Sequence, residues 1–203
     1  MAKKDGTPDL RVKRTQKAIK DSFFKLVDKK GFEHISVKDI TDGAMISRNT
    51  FYLHYSDKYD LLEKICDELM RTFFFRVGKQ IRRVQKGRFS VESGASIIEK
   101  GISVVSADKD AYRILFNSSS ADILTEKLSA VIFRFLDLFI SGIGGIDGFS
   151  GRYIVSGMVG IIRYYAQEEP DDISDKCMDF TQLHFGAFVD IVNRGKEARE
   201  SAV

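Results

Sequence analysis

Residues 36–58, SVKDITDGAMISRNTFYLHYSDK, are the most informative part of this chain about its fold. It predicts two short helices that are joined by a tight turn and followed at once by the start of a third helix. Ser36 is suited to cap the first helix, with Asp39 three residues later to complete a capping box. Ser47 is suited to cap the second helix. Residues 36–55 therefore predict a helix-turn-helix, in which residues 47–52 form the reading helix.

The reading helix carries side chains of the kind that contact DNA. A helix this short does not persist alone in water, because nucleation is costly, so we expect it to pack through Ile46, Phe51 and Leu53. The other side chains are cations, hydroxyls and amides, which bond phosphates and base edges. We predict that Arg48 and Asn49 in the first turn reach base edges in the major groove. We predict phosphate contacts for Ser36, Lys38, Ser47, Thr50, Tyr52, His54 and Lys58.

At these residues the chain resembles the Tet repressor (TetR) family of bacterial transcription regulators. The resemblance covers roughly residues 10–66 and rests on motif positions at fixed spacing. The matching elements are Ser36-Val37, Ala44-Met45-Ile46-Ser47, Thr50-Phe51-Tyr52-Leu53-His54-Tyr55, Lys58 and, upstream, Lys29-Lys30-Gly31-Phe32.

One turn residue departs from the family pattern. The family's turn usually holds glycine where this chain has Met45. We expect Met45 to cover the junction of the two helices, and contact with the binding partner is the alternative.

The resemblance implies the architecture and the function. It implies an all-α protein with a flexible tail at residues 1–9, a three-helix DNA-binding domain at 10–58 and a helical regulatory and dimerisation domain at 59–203. Such a protein binds a palindromic double-stranded operator as a homodimer, as a repressor released by a small-molecule effector. The alternative is an activator or DNA-binding factor that responds to a protein partner and has no small-molecule effector.

Hydrophobic periodicity independently predicts helices throughout the chain. The predicted helices cover residues 13–30, a long bridge that starts at 56 or 57, and then 91–106, 110–116, 121–141, 150–168 and 173–194. Both prolines fall outside these spans, as an all-α chain requires, and no period-two strand competes.

Charge is distributed unevenly along the chain. Residues 10–58 hold eleven Lys and Arg against six Asp and Glu, whereas residues 89–203 hold eleven against seventeen. A cationic head on an acidic body suits a protein that engages phosphates through one end. Residues 71–88 form a basic run, for which a solvated helix face is favoured over a second anion site.

The body offers candidates for an interface and for a pocket. Apolar stripes on the last two helices are compatible with either a monomer core or a dimer interface, and the resemblance favours the interface. The interface candidates are Gly157, Gly160, Phe180, His184, Ala187 and Ile191. The resemblance also places an effector pocket against the bridging helix, with Phe73, Phe116 and Phe135 as candidates.

Several function classes find no support in the sequence. The three histidines show no metal-site or catalytic-triad spacing, and the glycine-rich loop at 142–148 fails the dinucleotide fingerprint. We therefore expect no enzyme activity, no cofactor and no metal. We also expect a cytoplasmic protein without a membrane segment, because residues 1–9 are polar and no apolar run reaches the length of a span. Cys66 and Cys177 fit a reducing compartment as inert core thiols.

Overall fold

The computed structural model describes residues 10–84, 90–140, 148–168 and 174–183. Across these ranges the regular structure is entirely helical, which confirms the all-α prediction. The helices are α1 Leu10–Lys30, α2 Val37–Gly43, α3 Arg48–Tyr52, α4 Lys58–Val84, α5 Val91–Ala107, α6 Lys109–Phe116, α7 Ala121–Ile140 and α8 Gly148–Glu168, with a short 3-10 helix at Phe32–His34. A last described segment, residues 174–183, is also helical and is named α9.

Helices α1, α2 and α3 form the head of the molecule. Ile19, Phe23 and Val27 recur at helical spacing on α1 and are almost completely buried. The helix ends at Gly31, whose φ of 79° is a conformation that side chains with a Cβ rarely adopt. The amide of Gly31 still donates to the carbonyl of Val27 at 2.8 Å, which closes the last turn.

Helix α4 connects the head to the body. Its 27 residues give it a length of about 40 Å. Leu61, Leu62 and Ile65 are buried at the head end, and Phe73 and Ile81 are buried at the body end. One hydrophobic cluster contains residues of both ends, so the two parts share a core through α4.

The body consists of α5, α7 and α8 around the far half of α4, with α6 packed against α1, α7 and α8. Side chains on α6 and just after it tie the body to the head. Arg113 on α6 forms an ion pair with Asp28 on α1 at 3.2 Å, and Ser119 donates a hydrogen bond to Glu33 at 3.1 Å. Among the described residues, no helix is long and apolar enough to cross a membrane.

Candidate nucleic-acid interface

A capping box starts α2, as the sequence predicts. The amide of Asp39 donates to Ser36 Oγ at 3.2 Å, and the amide of Ser36 donates to the Asp39 carboxylate at 2.9 Å. The Ser36 hydroxyl also donates to that carboxylate, at 2.5 Å. Hydrogen bonds from the Ser36 side chain and backbone lower the pKa of Asp39, because they stabilise its charged form.

A second cap starts the reading helix α3. The amide of Thr50 donates to Ser47 Oγ at 3.1 Å, and the two hydroxyls lie 2.9 Å apart. The cap satisfies an amide that the short helix cannot satisfy itself. Ser47 thereby helps to determine the direction in which the first turn of α3 points.

Phe51 anchors α3 to the rest of the head. Its side chain is fully buried and its ring centroid lies 5.5 Å from that of Tyr55. Ile46 is half-buried and packs against the same cluster, as expected. The expectation for Leu53 is wrong, since 80% of this residue is exposed. Leu53 lies two positions after Phe51 and therefore points away from the buried side of the helix.

The outer side of α3 presents Arg48, Asn49 and Tyr52 to solvent. Tyr52 comes four residues after Arg48 and three after Asn49, so on a helix its side chain lies between theirs, and the three side chains occupy one side of α3. Within the described part of the chain, Arg48 makes no ion pair, and its side chain is exposed. Thr50 and His54 are half-buried, and Lys38 on α2 is exposed and forms an ion pair with Asp42 at 3.3 Å.

Lys58 does not have the environment predicted for a phosphate contact. Its ammonium donates to the carbonyls of Phe32 at 3.1 Å, Glu33 at 3.2 Å and Ile35 at 3.0 Å, and lies 4.8 Å from the centroid of the Phe32 ring. A lysine ammonium has three protons, and all three are used. We therefore replace the predicted phosphate contact with a structural role, in which Lys58 fastens the start of α4 to the segment before α2.

Met45 occupies the turn between α2 and α3 in an unusual conformation. Its φ is 54°, the one positive value for a non-glycine residue in the described ranges of the chain. Its side chain is 91% exposed, so the expectation that it covers the helix junction is wrong. The turn is closed by backbone bonds from Met45 to Asp42 at 3.2 Å and from Ile46 to Thr41 at 3.1 Å, and these leave the side chain pointing outward.

An apolar cavity of about 80 Å³ lies in the body. Phe73 of α4 and Phe135 of α7 line it, as predicted for a pocket. Phe116 does not line it, which corrects that prediction. Phe116 is buried beside Tyr112, with the guanidinium of Arg163 5.7 Å from its ring centroid. The other lining residues are Val77, Ile81, Gly94, Ile97, Ile98, Gly101, Ile132, Leu136, Met158, Ile162 and Thr181.

The predicted interface residues fall into three groups. Gly157 lies against the ring of Phe180, to which a Cβ on the glycine would come within 3.6 Å, so these two meet inside one chain. Gly160 is exposed, with open space where a Cβ would stand. His184, Ala187 and Ile191 lie outside the described residues.

Sequence analysis missed three exposed aromatic residues on the face of α8 that holds Gly160. Phe149, Tyr153 and Tyr164 are 82%, 56% and 46% exposed. The sequence contained this signal, because the three residues are separated by steps of four and eleven, which return to the same face of a helix.

On the body half of α4, the basic run is exposed as predicted, at Arg71, Arg76, Lys79, Arg82 and Arg83.

Comparison with known proteins finds sequence similarity in the segment that contains the helix-turn-helix. Residues 23–65 match the family described as bacterial regulatory proteins, tetR family. An uncharacterized HTH-type transcriptional regulator of Bacillus subtilis strain 168, YxbF, is 29% identical over 51 residues, which cover 25% of this chain and 13% of that protein.

Two solved structures have a similar fold over most of their length. The fatty acid degradation regulator FadR from Bacillus halodurans has a TM-score of 0.64 at 17% identity, over 89% of this chain and 97% of that one. The regulator FadR from Bacillus subtilis, in complex with stearoyl-CoA, has a TM-score of 0.58 at 18% identity, over 81% of this chain and 96% of that one. At identities this low, the two structures show that the fold is similar and nothing further.

Proposed function

Since the chain is a TetR-like transcriptional regulator in its N-terminal sequence and its helical fold, we propose that it binds a palindromic operator as a homodimer and releases it when an apolar ligand enters the body. The observation that carries the DNA-binding proposal is the exposed face of α3. Arg48 and Asn49 stand on it beside a helix that Phe51 holds in place. Proteins of this kind are DNA-binding factors rather than enzymes.

In this proposal the head, residues 10–58, reads the operator and the rest of the chain regulates it. Arg48 and Asn49 reach guanine and adenine edges in the major groove, because their first-turn positions are those that enter it. The hydroxyls, the imidazole and the exposed lysine around them contact phosphates and set the register. These residues are Ser36, Lys38, Ser47, Thr50, Tyr52 and His54.

The homodimer forms through α8 and α9. Support comes from the exposed aromatic side chains of α8, Phe149, Tyr153 and Tyr164, which line one face together with the open backbone at Gly160. Met178 and Leu183 add exposed apolar surface on α9. Apolar surface of this kind is typical of subunit contacts, and two-fold symmetry suits a palindromic operator.

The ligand is an apolar molecule with a chain-like shape. The cavity lining has one polar side chain, Thr181, whose hydroxyl already donates to the carbonyl of Cys177 at 2.6 Å. A structure of similar fold holds stearoyl-CoA, a molecule with a long aliphatic chain. The exposed arginines and Lys79 on the outer side of α4 offer countercharges for an anionic end group.

The size of the cavity supports a ligand-driven switch. Sites for small molecules usually have volumes of about 300–1,000 Å³, so a ligand would enter this cavity of about 80 Å³ only with a shift of the lining residues. Phe73 is one of these residues and belongs to α4, which is continuous with the head. A ligand that fills the cavity therefore favours a different position of α4, and its differential affinity changes the spacing of the two heads.

Selection of bound duplexes from a random pool tests the DNA-binding proposal. We expect a palindromic consensus whose half-sites are about one helical turn apart. Arg48→Ala should reduce affinity by about 1–3 kcal/mol and relax preference at one base pair per half-site. Arg83→Ala removes the same charge from the far end of α4 and should leave binding unchanged. Equal losses for both variants, or no consensus, would refute the proposal.

A variant that fills the cavity tests the ligand proposal. A Cβ at Gly101 would lie 3.4 Å from the Phe73 ring, so Gly101→Val should occupy the cavity and remove the response of operator binding to palmitoyl-CoA, palmitate or dodecane. Ser103→Val, on the exposed face of the same helix, should keep the response. If no apolar compound changes the operator affinity of the unmodified protein, the alternative of a partner-responsive factor replaces this one.

A further inference from the structure

The turn residue Met45 combines two features that stability alone does not explain. A non-glycine residue in the left-handed region raises the free energy of the folded state, because its Cβ approaches the neighbouring carbonyl oxygen. Buried side chains can offset this cost through packing, but Met45 is 91% exposed. The side chain therefore gains little from contacts within its own chain, and glycine would suit the same backbone better.

Met45 lies close to the end of α3 that enters the major groove in the proposed complex. It precedes Ser47, the cap of α3, by two residues, and two residues of chain span at most about 7 Å. Arg48 and Asn49 begin directly after that cap. A methionine side chain at this point extends beyond the backbone of the turn and reaches the neighbourhood of the same base pairs.

The chemistry of the side chain selects its partner. Methionine is flexible and has no strong hydrogen-bond donor or acceptor, so it does not read the polar edges of bases. The one apolar feature that bases present in the major groove is the C5-methyl group of thymine. We propose that Met45 contacts a thymine methyl at a base pair next to those read by Arg48 and Asn49, and that it is a specificity-determining residue of this chain. This inference rests on the proposed DNA-binding function.

Replacement of thymine by uracil tests the contact, since this change removes the methyl group and leaves the pairing intact. Each thymine of the selected operator is replaced in turn, and the affinities of the unmodified protein and of Met45→Gly are measured by fluorescence anisotropy. We expect one replacement to weaken binding of the unmodified protein by about three- to fivefold, the effect of burying one methyl group. Met45→Gly should bind thymine and uracil equally at that position.

Two controls separate this contact from general effects. Leu53→Ala removes another exposed apolar side chain, close to the opposite end of α3, and should retain the sensitivity to uracil. Met45→Gly should unfold at the same temperature as the unmodified protein or a higher one, so that a change in binding does not reflect unfolding.

Any one of three results would overturn the inference. The unmodified protein could be insensitive to every uracil replacement, or Met45→Gly could keep the full sensitivity to uracil. The third such result is that Met45→Gly loses affinity equally for all duplexes. Failure of the unmodified protein to select any duplex would instead refute the proposed function, and this inference with it.

Discussion

Replacement of Lys58 by methionine separates a structural role from a DNA contact. Methionine keeps much of the aliphatic stem over the Phe32 ring and removes the ammonium that bonds the carbonyls of Phe32, Glu33 and Ile35. The variant therefore tests the ammonium rather than the packing of the stem.

The expected loss follows from these three hydrogen bonds. A hydrogen bond to a charged group contributes about 1.5–3 kcal/mol when it is buried. The bonds to Phe32 and Ile35 are partly buried, whereas the bond to Glu33 is exposed. In the variant, water can therefore replace the ammonium as the hydrogen-bond donor to the Glu33 carbonyl. Two partly buried bonds at the low end of the range predict that the free energy of unfolding falls by about 2–3 kcal/mol. This is a large share of the stability of a typical domain.

Urea unfolding followed by circular dichroism measures this loss. Lys64→Met is the matched control, since Lys64 lies on the same helix and its two hydrogen bonds, to the carbonyl of His54 at 3.0 Å and to the carboxylate of Asp60 at 2.9 Å, are both exposed. It should lower the free energy of unfolding by no more than about 1 kcal/mol.

Operator binding at several salt concentrations completes the test. A structural Lys58 predicts the same salt slope for Lys58→Met and the unmodified protein under conditions in which both are folded. If Lys58→Met is as stable as Lys64→Met and its salt slope falls by about one unit, Lys58 is a phosphate contact and the structural reasoning is refuted.

Four further predictions concern the cap, the turn, the cavity and a buried thiol. Ser47→Ala removes the cap of α3 and should lower the free energy of unfolding by about 1 kcal/mol in urea titrations; an unchanged midpoint would show that the cap is dispensable. Met45→Val should lower it by about 1 kcal/mol, because a β-branched residue tolerates a φ of 54° poorly, and equal stability of the two proteins would contradict the strain. Phe73→Trp should mimic or block the effector by filling the cavity, so an operator affinity that still responds fully to palmitoyl-CoA would count against the location of the pocket. Burial raises the pKa of the Cys66 thiol to about 11, so iodoacetamide at pH 8 should label it slowly until urea unfolds the protein; rapid labelling of the folded protein would show that the thiol is accessible.

Features that depend on near neighbours in the chain were predictable. The caps at Ser36 and Ser47 form within three residues, and both match the prediction. Within the described ranges the helix spans were also predicted to within a few residues, because periodicity and breakers such as Gly31 act over one or two turns. The predicted end of the last helix, at residue 194, lies outside these ranges. The buried position of Phe51 follows from the same local logic, since a short helix with one aromatic residue must bury it.

The features that the sequence did not predict correctly depend on contacts between residues far apart in the chain. Phe116 has the composition of a pocket residue, yet the packing of α6 against α8 places it beside Tyr112 and Arg163 instead. The volume of the cavity could likewise not be predicted from the sequence. It depends on how closely Phe73 approaches Gly101 and Phe135, which lie 28 and 62 residues further along the chain.

The amino-acid sequence was sufficient to predict the all-helical fold, the helix-turn-helix and the cationic and amide side chains that begin the reading helix. The carbonyl partners of Lys58, the outward direction of Met45 and the limits of the cavity depend on the folded chain. The two sets of features differ in the range of the interactions that produce them. Capping and amphipathic periodicity act within about four residues, whereas the ammonium of Lys58 finds its carbonyls 23 to 26 residues away, where only the folded chain brings them together.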